Sequence, residues 1–549
     1  MLNYWWVTRP KRRLDSVPEV LAAFAELSLN QQWQGQRLSH IAYEDALEDA
    51  GLKRKGDRRD QGGSGGRTYA AWLESLGLIF KQESTGNIML TLAGEAILDG
   101  DAPVSVLTNQ IMKYQFPSAF SVSRGVKVSE RFKIRPFRFL LKLLMDWRIG
   151  YLTQDEIAKI VIIEAENETE RCYEHVVDRV LEFRSYGDST LDKDFVIKYG
   201  PSKGAVNPDC PYRHLEDCAN TIENWLEYTQ LCHRVDGKLI VLDDKREEVV
   251  TILSKPMPFI DRPEQHEYYQ RKYGLDPKHK KDLRDLTKSK TITARIILEN
   301  KIRAAYISLA IKQPILSVTS EVVDSIAEST GAERNIVEEY LQRVYPNGSI
   351  GAFMTSYFEM AFKGTEEAVE FEKATTDIFR DVFRYSAKHL GQTGSKSAPD
   401  ILLISDAEGY QAVVDNKAYS KYSITGDHHN RMVHNYIEKI SSYSSSTYPV
   451  GFFLYIAGGF INTIDKQLQK EVEESGVNGA GISVSNFIKM IERAQVEPYT
   501  HKQLREIFGL NRQVLLSDIK HDTAVNYRIY ENKQQYCNAA EEVCFGEDE

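Results

Sequence analysis

Residues 399–417 read PDILLISDAEGYQAVVDNK, and this stretch decides how the C-terminal part folds. Ile401 to Ile404 is a short apolar run, Asp406 to Gly409 has turn chemistry, and Tyr410 to Lys417 is a second β-rich run. The pattern predicts two strands in a hairpin. Asp400 starts the first strand and Asp415 ends the second, so both carboxylates can meet at one end. Two hard oxygen donors there suit Mg²⁺, with Mn²⁺ able to substitute. Lys417 lies two residues beyond Asp415, and the strand period of two puts both side chains on one face. Asn416, between them, turns its side chain to the other face, while its backbone carbonyl is a further candidate metal ligand.

The flanks extend the pattern. Phe371 to Arg384 reads as a helix with Ala374, Ile378, Val382 and Phe383 on its apolar face. A helix from His428 to Ile440 and a buried strand from Val450 to Ala457 follow the hairpin. Helix, strand, strand, helix, strand around Pro399-Asp400 and Asp415-Asn416-Lys417 is the setting of the PD-(D/E)-x-K pattern of metal-dependent nucleases. There an ammonium beside a metal-bound water can orient the attacking hydroxide and stabilise charge on a phosphate. The bland alternative is an ordinary strand-end ion pair between Asp415 and Lys417.

The whole chain sets the limits. At 549 residues it is long enough for three or four domains. Hydrophobic residues make up 42% and charged residues 27%, a globular balance that excludes disordered and low-complexity classes. The longest apolar run, Val450 to Phe460, is far shorter than the ~20 residues that span a bilayer. No apolar signal segment is visible at the N-terminus, and the six cysteines are too scattered for a disulfide scaffold. A reduced, soluble, cytoplasmic protein without membrane contact is expected. Cys210, Cys218, Cys232 and His233 lack the close cysteine pair of a zinc knuckle.

Net charge is −10, yet residues 1–140 hold 19 Lys and Arg against 15 Asp and Glu. Two local clusters stand out. Lys53 to Arg67 holds six basic and two acidic residues, and Arg124 to Arg138 six basic against one acidic. From these, Arg54, Arg58, Arg59, Arg67, Lys127, Arg131, Lys133 and Arg135 are the candidates for phosphate contacts with double-stranded DNA. The alternative is a solvated charged surface. Between the clusters, Arg67 to Leu76 reads as a helix and Leu78 to Gln82 with Asn87 to Thr91 as a hairpin, the order of a winged helix-turn-helix. Pro18 to Leu27 is a short helix, and Tyr4 to Val7 is strand-like. Residues 56–66 form a glycine-rich break that lets the chain pass close to DNA or links two segments. A second helix and hairpin spans Leu215 to Leu242. Ser254 to Lys281 has no period and reads as a hinge. Asp282 to Leu309 and Glu321 to Tyr345 read as long helices.

Two resemblances follow from particular residues. Lys388-His389-Leu390-Gly391, Pro399-Asp400, Val413 to Ser420, Met432, Tyr436, Gly451 to Phe460, Asn478-Gly479-Ala480 and Ser483-Val484 resemble the FokI-type cleavage domain of type IIS restriction endonucleases. The likeness implies that Asp400 and Asp415 are metal ligands and Lys417 the catalytic lysine. It also matches Glu372 to a glutamate on the preceding helix, and it implies 5′-phosphate and 3′-hydroxyl products. Asn416 departs from the threonine of that domain, and the loop before Pro399 is longer. In the front half, Asn3-Tyr4-Trp5, Leu90 to Gly94, Lys113 to Ser118, Ile134 to Phe137 and His266 to Tyr269 resemble the AlwI and BstNBI group of restriction and nicking endonucleases. In that group this half recognises DNA.

The expected fold is multidomain α+β. A DNA-recognition region with winged-helix-like subdomains occupies 1–255, a hinge and helical connector 256–347, and an α/β nuclease domain with a central mixed sheet 348–549. The expected function is a type IIS-like, Mg²⁺-dependent endonuclease that binds a short duplex site and cuts outside it. A strand-specific nicking enzyme, or the large subunit of a heterodimeric enzyme, is the rival within the class. A second copy pairing transiently through the nuclease domain, or a different subunit, would then cut the other strand. A catalytically inert DNA-binding regulator is the rival from another class, and the intact Asp400, Asp415 and Lys417 oppose it.

Overall fold

Val20, Leu21 and Phe24 recur at helical spacing, and Pro18 presets the first turn, so Val17–Ser28 forms helix α1 with those side chains buried. The computed structural model describes residues 2–56, 58, 60–118, 121, 128–201, 206–286, 294–364, 367–391 and 398–519. They divide into two compact units, Met1–Glu359 and Met360–Glu549. Residues 256–347, expected as a hinge and connector, fall inside the first of these.

In the first unit α1 is followed by α2 (Arg37–Asp49) and α3 (Ser64–Ser75). The hairpin β1 (Ile79–Lys81) and β2 (Ile88–Leu90) comes next, with Ile79 opposite Leu90. The expected glycine break is shorter than the sequence suggests, because α3 already begins at Ser64. The reason is steric. A Cβ on Gly66 would lie 2.3 Å from the His40 carbonyl oxygen, and one on Gly65 2.2 Å from Glu44 Oε1. The glycines let α3 press against α2, so Gly65 and Gly66 are part of a helix contact and not of a linker.

Tyr4 to Val7 joins no strand. Instead Trp5 donates its backbone N–H to Ile162 (2.8 Å) and its indole N–H to Ala165 (2.9 Å). The second helix and hairpin is present as the helix Arg213–Tyr228 with β4 (Cys232–Val235) and β5 (Lys238–Val241). A two-residue strand that the sequence did not suggest, β3 (Leu152–Thr153), completes a sheet of order β3-β5-β4. The aperiodic stretch after it is fastened down. It contains the helix His266–Tyr273, whose Tyr269 and Tyr273 are buried and whose Gln270 donates to the Glu74 carbonyl at 2.7 Å. The expected helix over 321–345 is two, Ser320–Thr330 and Arg334–Val344, split at Gly331, where φ is +67°. The helix expected over 282–309 is described over Ala294–Lys312, ending three residues further on, with residues 287–293 of the expected span outside the described residues.

The second unit is built on a six-stranded sheet of order β11-β10-β9-β8-β7-β6. The strands are β6 (Ser386–His389), β7 (Ile401–Ser405), β8 (Tyr410–Lys417), β9 (Val450–Ala457), β10 (Gly479–Ser483) and β11 (Gln513–Val514). The sheet is mixed: β6, β7 and β8 pair antiparallel, and β8 to β11 pair parallel. β8 and β9 are buried along almost their whole length, as central strands covered on both faces must be. On one face Phe452 meets Phe508, which also meets Phe379 of the helix Ala368–Asp381. On the other, Phe453, Tyr455 and Ala457 pack with Met432, Tyr436 and Leu468. The expected helix over 428–440 runs α-helically over Gly426–Asn430 and then widens to a π-helix over Arg431–Ile437.

The α2–α3 contact gives a direct test. Gly66→Ala forces a methyl onto a backbone carbonyl, so it should cost about 1–3 kcal/mol in denaturant unfolding of the first unit. A change below a few tenths would show that α3 can shift away without loss.

Candidate active site

β7 and β8 pair with Ile401 opposite Val414, so Asp400, just before β7, comes up beside the end of β8. The backbone N–H of Asn416 donates to Asp400 Oδ2 at 2.7 Å. Lys417 Nζ lies 2.7 Å from Asp415 Oδ2, with side-chain exposures of only 13% and 4%. The hairpin thus brings Asp400, Asp415 and Lys417 together, while Asn416 turns away and donates to Thr375 Oγ1 at 2.7 Å on the helix Ala368–Asp381.

Electrostatics follow from that burial. Burial, and then the Asp415 charge, hold the Asp400 carboxyl well above the usual carboxylate range, with Lys417 opposing. Burial lowers the Lys417 ammonium, but the charges of Asp415 and Asp400 outweigh it and leave its pKa raised. Asp415 Oδ1 is buried and has no hydrogen-bond partner among the described residues. Two crowded carboxylates and an unpartnered buried oxygen are a donor set that fits a hard divalent cation. Among the described residues no group of three or more histidine, cysteine or acidic side chains is arranged to hold a metal.

Glu372 sits on the helix that packs behind the hairpin, and its charge adds to the rise at Asp400. Its Oε2 lies 2.9 Å from His389 Nε2 on β6. A Cβ on Gly391 would lie 2.1 Å from that oxygen, so the glycine makes room for the pair.

Three groups around the site were not singled out by sequence. One is His389. The others are Tyr455, which stands opposite Asp415 in the β8–β9 register, and Glu471, which accepts the Tyr455 hydroxyl at 3.0 Å. Burial, aided by the Asp415 charge and opposed by the Tyr455 hydrogen bond, pushes the Glu471 carboxyl up to about 8. Only a tyrosine within the apolar run of β9 hinted at such a partner. The three histidines after the hairpin separate. His428 Nδ1 pairs with the Tyr422 hydroxyl (3.0 Å), His429 is buried against Glu474 (2.7 Å), and His434 is half-buried beside Glu438 and Glu474.

Four of the eight basic candidates of the first unit lie in ion pairs. Arg58 pairs with Asp45 and Glu48, and Arg67 with Asp60. Arg131 pairs with Glu166 at 2.6 Å, and Arg135 donates through Nε to Glu168 at 2.8 Å. Asp45, Glu48, Glu166 and Glu168 come from outside the clusters, so part of the local charge excess is offset in the fold, while Asp60 belongs to the cluster it serves. Arg54 and Lys133 are exposed, while Arg59 and Lys127 lie outside the described residues.

Glu471 generates a pH prediction. Its folded pKa is raised above the unfolded value, so the folded state holds a proton that the unfolded state has lost. Stability of the second unit should therefore fall as pH rises from about 4.5 to about 8, and Glu471→Gln should flatten that fall. Thermal unfolding across this range measures it. Parallel pH profiles for wild type and variant would show that Glu471 is not the group responsible.

Comparison with known proteins places the chain in a family. The FokI cleavage domain matches residues 331–515, and the AlwI restriction endonuclease matches residues 74–348, half of the chain. The type II restriction enzyme StsI of Streptococcus sanguinis is 24% identical over 151 residues, covering 26% of this chain and 24% of that enzyme. The chain thus matches about a quarter of that relative's length. The solved restriction endonuclease FokI aligns over 94% of this chain and all of its own at 15% identity, with a TM-score of 0.28. The BpuJ1 endonuclease binding domain, solved in complex with pyrene- and phenanthrene-modified DNA, aligns over 49% of this chain and 97% of its own at 14% identity, with a TM-score of 0.33. The chain belongs to the AlwI restriction endonuclease family, and Asp400, Asp415 and Lys417 are gathered inside the C-terminal segment that matches the FokI cleavage domain.

Proposed function

We propose that the chain is a type IIS-like DNA endonuclease that binds a short duplex site through its first unit and hydrolyses phosphodiester bonds outside that site through its second. The observation that carries this reading is the buried meeting of Asp400, Asp415 and Lys417 at the end of the β7–β8 hairpin. Asp400 and Asp415 would hold Mg²⁺, with the Asn416 carbonyl, water and substrate phosphate completing the oxygen shell. The bound ion supplies Lewis-acid polarisation of the phosphate and a lowered pKa for water. Lys417, kept protonated by its two acidic neighbours, places an ammonium where the attacking water and the phosphate meet. Water adds to phosphorus, the bond to the 3′-oxygen breaks, and the product ends are 5′-phosphate and 3′-hydroxyl. Glu372, held by His389, assists from the helix behind.

The helix and hairpin formed by α3, β1 and β2 support a winged-helix mode of duplex binding in the first unit. A second reading is strand-specific nicking, alone or as the large subunit of a heterodimer. It is favoured by the single Asp400–Asp415–Lys417 set per chain and by the AlwI match. Cutting both strands then requires a second copy pairing through the cleavage domain, or another subunit.

Supercoiled plasmid with Mg²⁺ tests both readings. Linear product supports double-strand cutting, nicked product alone supports the second reading, and unchanged plasmid refutes both. Asp400→Ala, Asp415→Ala and Lys417→Ala should each lower the cleavage rate at least ~10²-fold while leaving gel-shift affinity for the site within a few-fold. Wild-type rates in any two of them would remove these residues from the chemistry. In the first unit, Arg54→Ala and Lys133→Ala should each reduce the salt slope of DNA binding by about one. An unchanged slope would return them to the solvated surface.

A further inference from the structure

One exposed aromatic side chain stands beside the catalytic hairpin, and the fold holds it in place. Tyr419 follows Lys417 by two residues and is 55% exposed, although the strand it leaves is buried almost throughout. An exposed tyrosine is unremarkable when it sits on a free loop. This one does not. Its backbone N–H donates to the Lys417 carbonyl at 2.8 Å, and its own carbonyl accepts from Gly459 N at 3.3 Å. The Gly459 carbonyl in turn accepts from Tyr422 N at 2.8 Å, and the Tyr422 carbonyl accepts from Ile461 N at 3.1 Å.

The close seating of this loop needs the two glycines after β9. A Cβ on Gly458 would lie 2.9 Å from the Tyr419 carbonyl oxygen, and one on Gly459 2.6 Å from that of Ser420. Beneath Tyr419 lies Tyr422, only 2% exposed, with the two rings inclined by 21° and their centroids 6.2 Å apart. Tyr422 is itself wedged against Tyr455 and Phe460 and tied to His428 through its hydroxyl. Tyr419 thus leaves the strand that ends in Lys417 with its backbone fixed and its ring seated on Tyr422, so little freedom of the backbone is lost on binding.

We infer that Tyr419 is a substrate-contacting residue, its ring packing on the sugar or base of a nucleotide next to the phosphate that Lys417 engages. The inference rests on the nuclease reading of that site. Aromatic faces suit this task because every nucleotide offers a flat or apolar surface, whatever its sequence. Such a contact positions the strand without reading bases, which is what cutting at a distance from the recognised site requires.

Single-turnover cleavage of plasmid DNA in Mg²⁺, with the full-length chain in saturating excess, tests the inference. Tyr419→Ala and Tyr419→Leu should each slow cleavage about tenfold, and Tyr419→Phe should stay within about twofold of wild type. Tyr419→Phe and Tyr419→Leu, which keep cover over Tyr422, should melt as wild type does, and Tyr419→Ala within a few degrees of it. Tyr419→Leu separates an aromatic contact from simple apolar bulk. A wild type that cuts while Tyr419→Ala cuts equally fast overturns this inference and leaves the site assignment standing. A slow Tyr419→Ala variant that also melts several degrees lower, with Tyr419→Leu cutting normally, assigns the residue a structural role and overturns it as well. A wild type that does not cut overturns both readings together.

Discussion

The antiparallel register of β7 and β8 is the constraint on which the rest of the site depends. It places Ile401 opposite Val414 and so sets Asp400 beside Asp415 and Asn416. A slip of one residue would turn Asp415 and Lys417 to the opposite face of the sheet and bring Asn416 inward. The parallel pairing of β8 with β9 adds a second fix, holding Tyr455 opposite Asp415. Two carboxylates forced together under burial repel each other and favour protonation, and the Lys417 ammonium only partly offsets this. Burial of the two carboxylates is thus a cost that the ion pair with Lys417 offsets only in part. An extended and apolar sheet around it supplies the rigidity that such an arrangement needs.

Charge in the first unit shows how a local excess differs from a free surface. Lys53 to Arg67 and Arg124 to Arg138 are basic in the chain, but Glu48, Glu166 and Glu168 fold against them. Arg138 goes further inward and donates to the carbonyls of Ile252, Leu253 and Lys255. Guanidinium groups in such bidentate and multiple contacts organise the fold, and an exposed ion pair of this kind contributes little net stability. What remains available for a polyanion is a smaller set of side chains than the sequence count implies.

Glycine recurs wherever two segments must come closer than a side chain permits. Gly66 lets α3 meet α2 at the His40 carbonyl, Gly391 leaves space for the Glu372–His389 pair, and Gly458 and Gly459 seat the loop after Lys417. The glycines at the start of α3 thus have the same physical meaning as the isolated glycines near the Asp400–Asp415–Lys417 cluster. Close approach of a neighbouring segment, by backbone at Gly66, Gly458 and Gly459 and by side chain at Gly391, is the common element.

Much of the second unit was legible from residues alone. The hairpin, the helix before it and β9 are set by local periodicity, and β8 and β9 fall on the expected residues because long apolar β-branched and aromatic runs have few alternatives. Asp400, Asp415 and Lys417 could be grouped because a two-residue period and one tight turn are short-range geometry. The sequence by itself also marked the helix and hairpin of α3, β1 and β2. Tertiary structure alone decided the rest. It recruited His389, Tyr455 and Glu471 to the site through contacts between distant strands and helices, and it offset part of the charge of the basic clusters with acids from other segments. It also bound the aperiodic stretch around His266–Tyr273 into the first unit by burying tyrosines whose spacing carries no signal. These outcomes depend on which surfaces meet, and that is settled by burial and steric fit across the whole unit, where local spacing has no say.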